Sequence, residues 1–422
     1  MRPATKLMAS FAAVGMVAAL SGCSSAGDEP ESSAPVALRM SVWTSDENQL
    51  AVFNSMADAY MADHPEVESI TFESLPFADY NSTLTTQAAG GNAPDLAWVG
   101  DIAKDLIDAG ALAPLSETFG STEGYEYDDI LPSVTESFSQ DGELYAYPFS
   151  NSPFALYVNK DLIAQAGQTI DPETLSWEDV DRVGAAVTES TGKPGYIIRD
   201  FDFSGWLSLA NVWAGWGAQP WNDDGTECTM DSPEMVEAFE FFHDSVYVSG
   251  ATPGPGVTAD FFAGDAAFTT AQVSRASLLD GSFEFEIYPL PIGPAGEYGN
   301  IGQAGMAALQ GGENVEEATS FLAFMTNPEN SAKLAQFFPP PRQSLLSGEE
   351  LAKVNTKLSA EQLDRVVVNE LGDVSATPPV TSPAEITSLG KTALDQMWSP
   401  DADVAAVLGS VCDAIDPVLK GE

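Results

Sequence analysis

The sequence contains little histidine, cysteine or positive charge. Its 422 residues include two histidines, three cysteines and 16 lysines and arginines, against 63 aspartates and glutamates, so the formal net charge is −47 at pH 7. Such a chain repels phosphate backbones, and no basic cluster offsets the charge locally, which excludes nucleic-acid binding as the main role. No Cys-x-x-Cys pair, His-Glu-x-x-His motif or Cys/His cluster is present, which excludes a zinc site of ordinary spacing.

Common catalytic motifs are also missing. There is no Gly-x-Ser-x-Gly elbow, and Lys193 belongs to no Walker A loop because Val187 stands where the first glycine of that motif should be. The acidic turn at 222–225 is not an EF-hand loop, since Pro220 would take the first ligand position. We therefore predict a protein that is not an enzyme and that needs no metal ion and no cofactor.

The N-terminus predicts export and anchoring. A short basic region precedes an uncharged, mostly apolar stretch over residues 7–20, which has the length of a signal-peptide core and is short for a membrane span. The stretch ends in Leu-Ser-Gly-Cys at residues 20–23, which resembles the lipobox of bacterial lipoproteins, where a lipidated cysteine follows small residues. An ordinary signal peptide and a weak membrane anchor are the alternatives. We expect a lipoprotein signal peptide over 1–22, lipidation at Cys23, and a place on the outer face of the bacterial cell membrane.

Two further predictions concern the chain after cleavage before Cys23. Residues 23–35 lack large apolar side chains and predict a flexible tether. After cleavage, Cys228 and Cys412 are the two cysteines besides Cys23. In an oxidising compartment they are candidates for a disulfide, with two buried free thiols as the alternative.

Strands and helices alternate along the body of the chain. The hydrophobic spacing predicts strands at 37–43, 70–75 and 95–99 and helices at 50–64, 80–91 and 102–109, which is typical of a parallel sheet covered by helices. Ligands of such sheets bind beyond the carboxyl ends of the strands. Those ends carry Trp43 with Asp46, Pro76-Phe77, and Trp98 with Asp101.

The pattern starts again near residue 150, which predicts a second sheet-and-helix unit. The expected elements are strands at 154–158 and 195–199 and helical stretches at 177–189, 206–216 and 233–246.

Six local strings, in order, resemble sequences of the sugar-binding proteins of ABC importers. These are DGELYAYP (141–148), YVNKDLI (157–163), FFAGDAAF (261–268), YPLPIGP (288–294), ATSFLAFMTNPEN (318–330) and PRQS (341–344). The chain thus resembles extracellular solute-binding protein family 1, of the maltose-binding type. It departs from the family pattern at Val158, where a second tyrosine is common, after 266–268, where no tryptophan follows, and at 302–309, which lacks the usual aromatics.

The resemblance implies a fold of class α/β, the two-lobed periplasmic-binding-protein-like fold of type II. In that fold each lobe is a sheet flanked by helices, and three hinge crossings join the lobes. The resemblance assigns residues 36–150 and 288–341 to lobe 1, and residues 151–287 and 342–422 to lobe 2.

The function implied is that of a lipid-anchored, monomeric receptor that closes on a carbohydrate and delivers it to an ABC transporter permease. The eight tryptophans favour an oligosaccharide over a monosaccharide. A secreted glycoside hydrolase and a surface adhesion lipoprotein remain as alternatives. Within the binding class, a polyamine or another cationic solute is the alternative ligand.

Sugar recognition needs flat aromatic rings for stacking and fixed polar groups for the hydroxyls. At the strand ends, Trp43 and Trp98 suit stacking, and Asp46 and Asp101 suit hydrogen bonding. By resemblance, the hinge candidates are Ser150, Asn151 and Ser152, and the remaining candidates are Tyr157, Trp206, Trp213, Gln272 and Arg342.

Each candidate also suits an ordinary structural role. Trp43 suits a cover over the sheet edge, and Trp98 alternates with Leu96 along a buried strand, as core residues do. Asp46 and Asp101 suit N-caps of the helices that follow them. Core packing is the alternative for Tyr157 and for at least one of Trp213 and Trp216, and a hinge brace is the alternative for Arg342.

Overall fold

The computed structural model describes residues 35–198, 206–372, 380 and 382–421. This part of the chain begins with three strand–helix pairs. The strands are β1 (Val36–Val42), β2 (Val67–Ser74) and β3 (Leu96–Val99), and the helices are α1 (Glu47–Asp63), α2 (Phe77–Ala89) and α3 (Ala103–Asp108). Strand β1 lies between β2 and β3 and pairs with both in parallel. The predicted pairs are confirmed, within a few residues at each end.

Helix α1 shows how local sequence sets these boundaries. Asp46 caps its first turn, because the carboxylate accepts hydrogen bonds from the backbone N–H groups of Asn48 (2.7 Å) and Gln49 (3.3 Å). The buried residues are Phe53, Met56, Ala57 and Tyr60, spaced so that they share one face. The helix ends before His64-Pro65, since a proline disfavours helical geometry in the residue before it.

The remaining elements follow in chain order. They are α4 (Ser116–Ser121), α5 (Pro132–Thr135), β4 (Ser139–Gln140), β5 (Glu143–Leu144), β6 (Tyr147–Asn159), α6 (Lys160–Gln165), α7 (Trp177–Thr191), β7 (Tyr196–Ile198), α8 (Ala210–Trp213), α9 (Pro233–Tyr247), β8 (Phe268–Gln272), β9 (Phe285–Tyr288), β10 (Ile301–Ala308), α10 (Val315–Met325), α11 (Pro328–Leu334), α12 (Gly348–Ala352), α13 (Ala360–Leu363), α14 (Pro383–Leu394) and α15 (Val404–Leu419). A π-helical turn spans Asp364–Val368, and 3₁₀ turns connect several helices.

One long strand joins the two lobes. The main sheet has the order β2-β1-β3-β10-β6-β8-β7, and β9 also pairs with β6. The first half of β6 pairs with β10, and its second half, from Phe154, pairs with β8 and β9. The predicted two-lobed fold is therefore present, but its two sheets share β6. This is possible because β6 is 13 residues long and buried along almost its whole length.

The buried apolar side chains form separate clusters, and the first two of these include residues from opposite ends of β6. The first cluster draws on residues 36–149 and 304–334, and the second on residues 156–268 and 380–419. A third, from residues 134–157, 261–301 and 335–371, includes residues of the crossings. Between β9 and β10 the chain rests on the second lobe, where the Ile292 N–H donates to Leu175 O (2.9 Å).

Two details of the second lobe concern predictions from the sequence. The sequence predicts a helical stretch at 206–216, and the structure divides it into α8 with a 3₁₀ turn on each side, ending at Gly217 with φ 73°. Cys228 and Cys412 form a disulfide in the structure, which ties α15 to the segment before α9.

The anchoring predictions concern residues that the structure does not describe. Residues 1–22, Cys23 and nearly all of the expected tether lie outside the described residues. Within the described ranges, no helix has both the length and the apolar character needed to cross a membrane.

Candidate functional site

The carboxyl ends of β1, β2 and β3 bring three loops together at one edge of the sheet. Trp43 follows β1 directly, Phe77 follows β2 after two residues, and Gly100-Asp101 follows β3. The Trp43 ring lies 5.9 Å from the Phe77 ring, centroid to centroid, in an edge-to-face arrangement. It also covers Gly100, where an added Cβ would lie 3.9 Å from the indole. This is the geometry that parallel strands create for ligand binding.

Two of the rings at this edge are open to solvent. The Phe77 side chain is 74% exposed, and no other phenylalanine or tryptophan in the described ranges is exposed to that degree. Trp43 is half-buried. Phe77 was not among the sequence candidates, although its place after β2 was the signal that could have selected it.

Two carboxylates lie in the same loops. Asp46 is engaged as the N-cap of α1, and its own N–H donates to Thr44 Oγ1 (3.1 Å). Asp101 is exposed to solvent in the turn after β3. An exposed carboxylate is available to accept hydrogen bonds from the hydroxyl groups of a ligand.

Behind these rings, Trp98 is buried, with 1% of its surface exposed. Its ring lies 5.0 Å from Trp43 and 4.7 Å from Phe149. Its indole N–H is buried and has no hydrogen-bond partner among the described residues. In this conformation Trp98 supports Trp43 from behind and presents no face to the edge.

The three hinge candidates, Ser150, Asn151 and Ser152, lie buried on β6. The Asn151 amide group donates to Pro148 O (2.7 Å) and accepts from Gln303 Nε2 (3.0 Å). Ser152 Oγ accepts from the N–H of Ser274 (3.0 Å). The Asn151 side chain thus joins β6 to β10, and the Ser152 side chain joins β6 to the turn after β8.

The aromatic candidates of the second lobe are also buried. The Tyr157 hydroxyl lies 3.0 Å from Gln272 O and 3.1 Å from Val273 O. Trp206 donates from Nε1 to Thr387 O (3.0 Å), and Trp213 packs against Phe239. These rings belong to the apolar clusters of that lobe.

Gln272 occupies a different position, at the carboxyl end of β8. Its side chain is half-buried and lies against Gly302 of β10, where an added Cβ would collide with the Gln272 amide. The absence of a side chain at residue 302 therefore makes room for Gln272 beside the crossings. No described residue hydrogen-bonds the Gln272 amide, so this amide can serve a ligand.

Arg342 is fully buried in the first lobe. Its guanidinium donates to Thr326 O (2.8 Å), to Ser331 Oγ (3.2 Å) and to Glu126 O (3.1 Å). It also pairs with Asp129 (3.5 Å). These partners occupy the guanidinium, so Arg342 braces the third crossing in this structure.

The structure thus brings Trp43, Trp98, Asp46 and Asp101 together at one edge and adds Phe77. It places Ser150, Asn151, Ser152, Gln272 and Arg342 along the crossings, and Tyr157, Trp206 and Trp213 in apolar clusters. Within the described ranges, no three His, Cys, Asp or Glu side chains are grouped closely enough to hold a metal ion. Exposed rings beside carboxylates suit the noncovalent capture of a molecule with apolar faces and hydroxyl groups.

A known protein family matches most of this chain. The sequence profile described as "Bacterial extracellular solute-binding protein" matches residues 44–332. A maltotriose-binding protein of Pyrococcus abyssi is 27% identical over 394 residues, covering 88% of this chain and 75% of the relative. An arabinooligosaccharide-binding protein of Halalkalibacterium halodurans is 25% identical over 323 residues, covering 71% of this chain and 70% of the relative.

A solved structure shares the fold. The cyclic alpha-maltosyl-1,6-maltose binding protein from Arthrobacter globiformis superimposes with a TM-score of 0.76 at 21% identity. The alignment covers 92% of this chain and 100% of that protein.

Proposed function

The chain belongs to the family of bacterial extracellular solute-binding proteins, and on that premise we propose that it captures an oligosaccharide outside the cell membrane for an ABC importer. It is held there by a lipid on Cys23 and acts as a monomer. It hands the ligand to the permease subunits of the importer.

The observation that carries the sugar proposal is the exposed Phe77 ring beside Trp43. Exposing an apolar ring over 74% of its surface gives no folding stability, whereas a sugar ring that stacks on it removes apolar surface from water. Asp101 in the neighbouring loop can accept hydrogen bonds from hydroxyl groups. The names of the maltotriose- and arabinooligosaccharide-binding relatives support an oligosaccharide as the ligand class.

The mechanism is hinge closure. The lobes are connected by β6, by the segment between β9 and β10, and by the third crossing at Arg342. A ligand that touches Phe77 on the first lobe and Gln272 beside the crossings binds better when the lobes are closed. It therefore shifts the equilibrium to the closed state by its difference in affinity for the two states. No covalent step is needed.

A cationic solute is the second candidate, because the same edge combines aromatic faces with a carboxylate. Cations are attracted to ring faces and to Asp101, and the net charge of −47 favours their approach. Salt separates the two candidates. Screening weakens the binding of a polyamine between about 0.05 M and 0.5 M NaCl, whereas a neutral oligosaccharide depends little on salt.

The direct test is a thermal-shift screen of residues 24–422 against neutral oligosaccharides and spermidine, with chromatography for products. Ligand at 100 times its Kd stabilises the folded protein by about 2.7 kcal/mol, which raises Tm by several degrees. We expect a shift with one oligosaccharide class and no new product. A shift with spermidine alone would favour the cationic ligand, and conversion of the sugar would indicate a hydrolase.

The anchor is tested separately. We expect mass spectrometry of the membrane fraction to find a diacylglycerol-modified Cys23 at the mature N-terminus, and we expect Cys23→Ala to abolish that modification. An unmodified N-terminus at another position would show cleavage by ordinary signal peptidase and would contradict the anchor, leaving the ligand proposal intact.

A further inference from the structure

A continuous series of aromatic rings runs from the exposed edge to the hinge. Phe77 contacts Trp43, and Trp43 contacts Trp98 at 5.0 Å. Trp98 in turn contacts Phe149 at 4.7 Å and Phe338 at 5.9 Å, and the latter two rings are 5.0 Å apart. Phe149 lies on β6, and Phe338 immediately precedes the prolines of the third crossing.

These last two rings lie next to the point where the crossings meet. Phe149 is two residues before Asn151, and Phe338 is one residue before Pro339. The Asn151 N–H donates to Pro339 O (3.1 Å), and the Asn151 side chain accepts from Gln303 of β10 (3.0 Å). Backbone and side-chain hydrogen bonds of Asn151 thus connect all three crossings.

Packing alone holds the Trp98 ring in place. Its indole N–H is buried without a hydrogen-bond partner among the described residues, which is costly and rare for a tryptophan. The Trp98 carbonyl accepts from the Tyr80 hydroxyl (3.0 Å), and the Tyr80 ring lies 5.0 Å from Trp43. A displacement of the Trp43 ring therefore acts on the Trp98 ring by direct contact and on the Trp98 backbone through Tyr80. Close-packed rings transmit such a displacement.

We propose that Trp98 is a positioning residue that couples ligand contact at Trp43 to the crossings through Phe149 and Phe338. The ligand part of this inference rests on the proposed function, but the coupling is a property of the chain itself. Coupling is reciprocal, so a change at the crossings alters Trp43 by the same route by which ligand at Trp43 alters the crossings. A double-mutant cycle measures this coupling.

The coupling is measured without ligand, by ¹⁹F NMR of residues 24–422 labelled with 5-fluorotryptophan. This form keeps the whole compact unit that begins at Val36. Trp43→Phe assigns the Trp43 resonance, and the resonance of Trp216 in the second cluster serves as an internal reference. Phe338→Leu is expected to shift the Trp43 resonance. In a Trp98→Leu background the same substitution is expected to produce less than half of that shift.

Two further variants keep the test decisive. Phe321→Leu removes a buried ring of the same cluster that contacts Tyr60 and not Trp98, and it is expected to leave the Trp43 resonance unchanged. If Trp98→Leu does not fold, Trp98→Phe replaces it and is expected to reduce the shift by a smaller amount. An unmoved Trp43 resonance in Phe338→Leu overturns the proposal, as does an equal shift with and without Trp98.

Ligand binding provides an independent readout by calorimetry with maltotriose. We expect Trp98→Leu to weaken maltotriose affinity about fivefold or more, the lower end of typical coupling between sites. It is also expected to remove most of the effect of Phe338→Leu on that affinity. If the unsubstituted chain binds neither maltotriose nor any other sugar, the proposed function fails, and the ¹⁹F result still decides the coupling.

Discussion

At the scale of single residues, exposure separates the side chains that can meet a ligand from those that hold the fold. Phe77 and Trp98 contact the same indole, that of Trp43, but the first is 74% exposed and the second 1%. Burial of Trp98 stabilises the first lobe, whereas the exposed face of Phe77 stabilises nothing in the unliganded chain. The substitution of Phe77 is therefore expected to affect binding and to spare folding.

We expect Phe77→Ala to reduce oligosaccharide affinity about tenfold, since a central aromatic contact is typically worth more than 1 kcal/mol. The free energy of unfolding is expected to change by less than about 0.5 kcal/mol, as at other exposed positions. The measurements are calorimetry and denaturant unfolding. Val248→Ala is the matched control, because Val248 is 76% exposed at the end of α9. Equal affinity losses in the two variants would contradict the role of Phe77.

A second residue-scale feature is the carboxyl group of Glu370. Burial, and then repulsion from Glu297, raise its pKa to about 7. The folded chain therefore keeps a proton on Glu370 between about pH 4.5 and 7, where the unfolded chain releases it. Folding stability from this group is fully present below about pH 4.5 and is lost as pH rises to about 7.

Glu370→Gln removes that loss. Because the carboxyl group is partly exposed, we expect the variant to be about 2 kcal/mol more stable than the parent chain at pH 8, with the difference vanishing near pH 4.5. Melting curves from pH 4.5 to 8 measure it. Glu297→Gln should show a smaller gain of the same sign, and a gain that grows toward low pH would contradict the assignment.

At the scale of elements, the third crossing depends on Arg342. Its buried guanidinium donates to the backbone after α10 and to the loop at Glu126, and it pairs with Asp129. The partners come from two separate parts of the first lobe. Arg342 thus fixes where the crossing leaves that lobe.

We expect Arg342→Met to lower the free energy of unfolding by about 3 kcal/mol, because it removes the charge partner of Asp129 and the buried guanidinium hydrogen bonds to Thr326 O and Glu126 O. Guanidinium unfolding measures the change. Arg182→Met is the control, since the Arg182 side chain is 58% exposed in its pair with Asp179 and should cost less than about 0.5 kcal/mol. Similar losses in both variants would show that the buried bonds add nothing.

The C-terminal helix α15 is held by the disulfide between Cys228 and Cys412, which are 184 residues apart in sequence. Cross-linking so long a loop restricts the unfolded chain, which typically stabilises a protein by about 2–4 kcal/mol. We expect the free energy of unfolding of the Cys228→Ser, Cys412→Ser double variant to be about 3 kcal/mol lower, as measured by denaturant unfolding. The parent chain in reductant should match it. Equal stability of the oxidised and the reduced parent chain would contradict this prediction.

At the scale of the whole molecule, two lobes connected by three crossings can change their separation with little change inside either lobe. Each lobe has an apolar cluster of its own, so each can move as a unit. A ligand that bridges the lobes should therefore make the molecule more compact without altering its secondary structure.

We expect the radius of gyration from small-angle X-ray scattering to decrease when an oligosaccharide that causes a thermal shift is added. The far-ultraviolet circular dichroism spectrum should stay unchanged. A sugar that causes no thermal shift serves as the control. Tight binding without any decrease would mean that the ligand occupies an already closed cleft or one lobe alone, and hinge closure would be wrong.

Local sequence predicted much of the fold. The strand–helix pairs follow from hydrophobic spacing, and the ends of α1 follow from Asp46 and Pro65, all of which act over a few residues. The order of the pairs then places Trp43, Phe77 and Asp101 at one edge, because parallel strands end together. The sequence alone thus indicated the family and the two lobes, and it selected this edge as the candidate binding site.

The tertiary structure decided the orientation and burial of individual side chains. Trp98 is covered by Phe149 and Phe338, Asn151 is bonded to Gln303, and Arg342 is bonded to Glu126 and Thr326. Most of these partners lie tens to hundreds of positions away in sequence. Hydrophobic periodicity shows which face of an element is apolar, but it does not show which distant segment covers that face. That depends on how the chain crosses between the lobes, and only the folded molecule fixes those crossings.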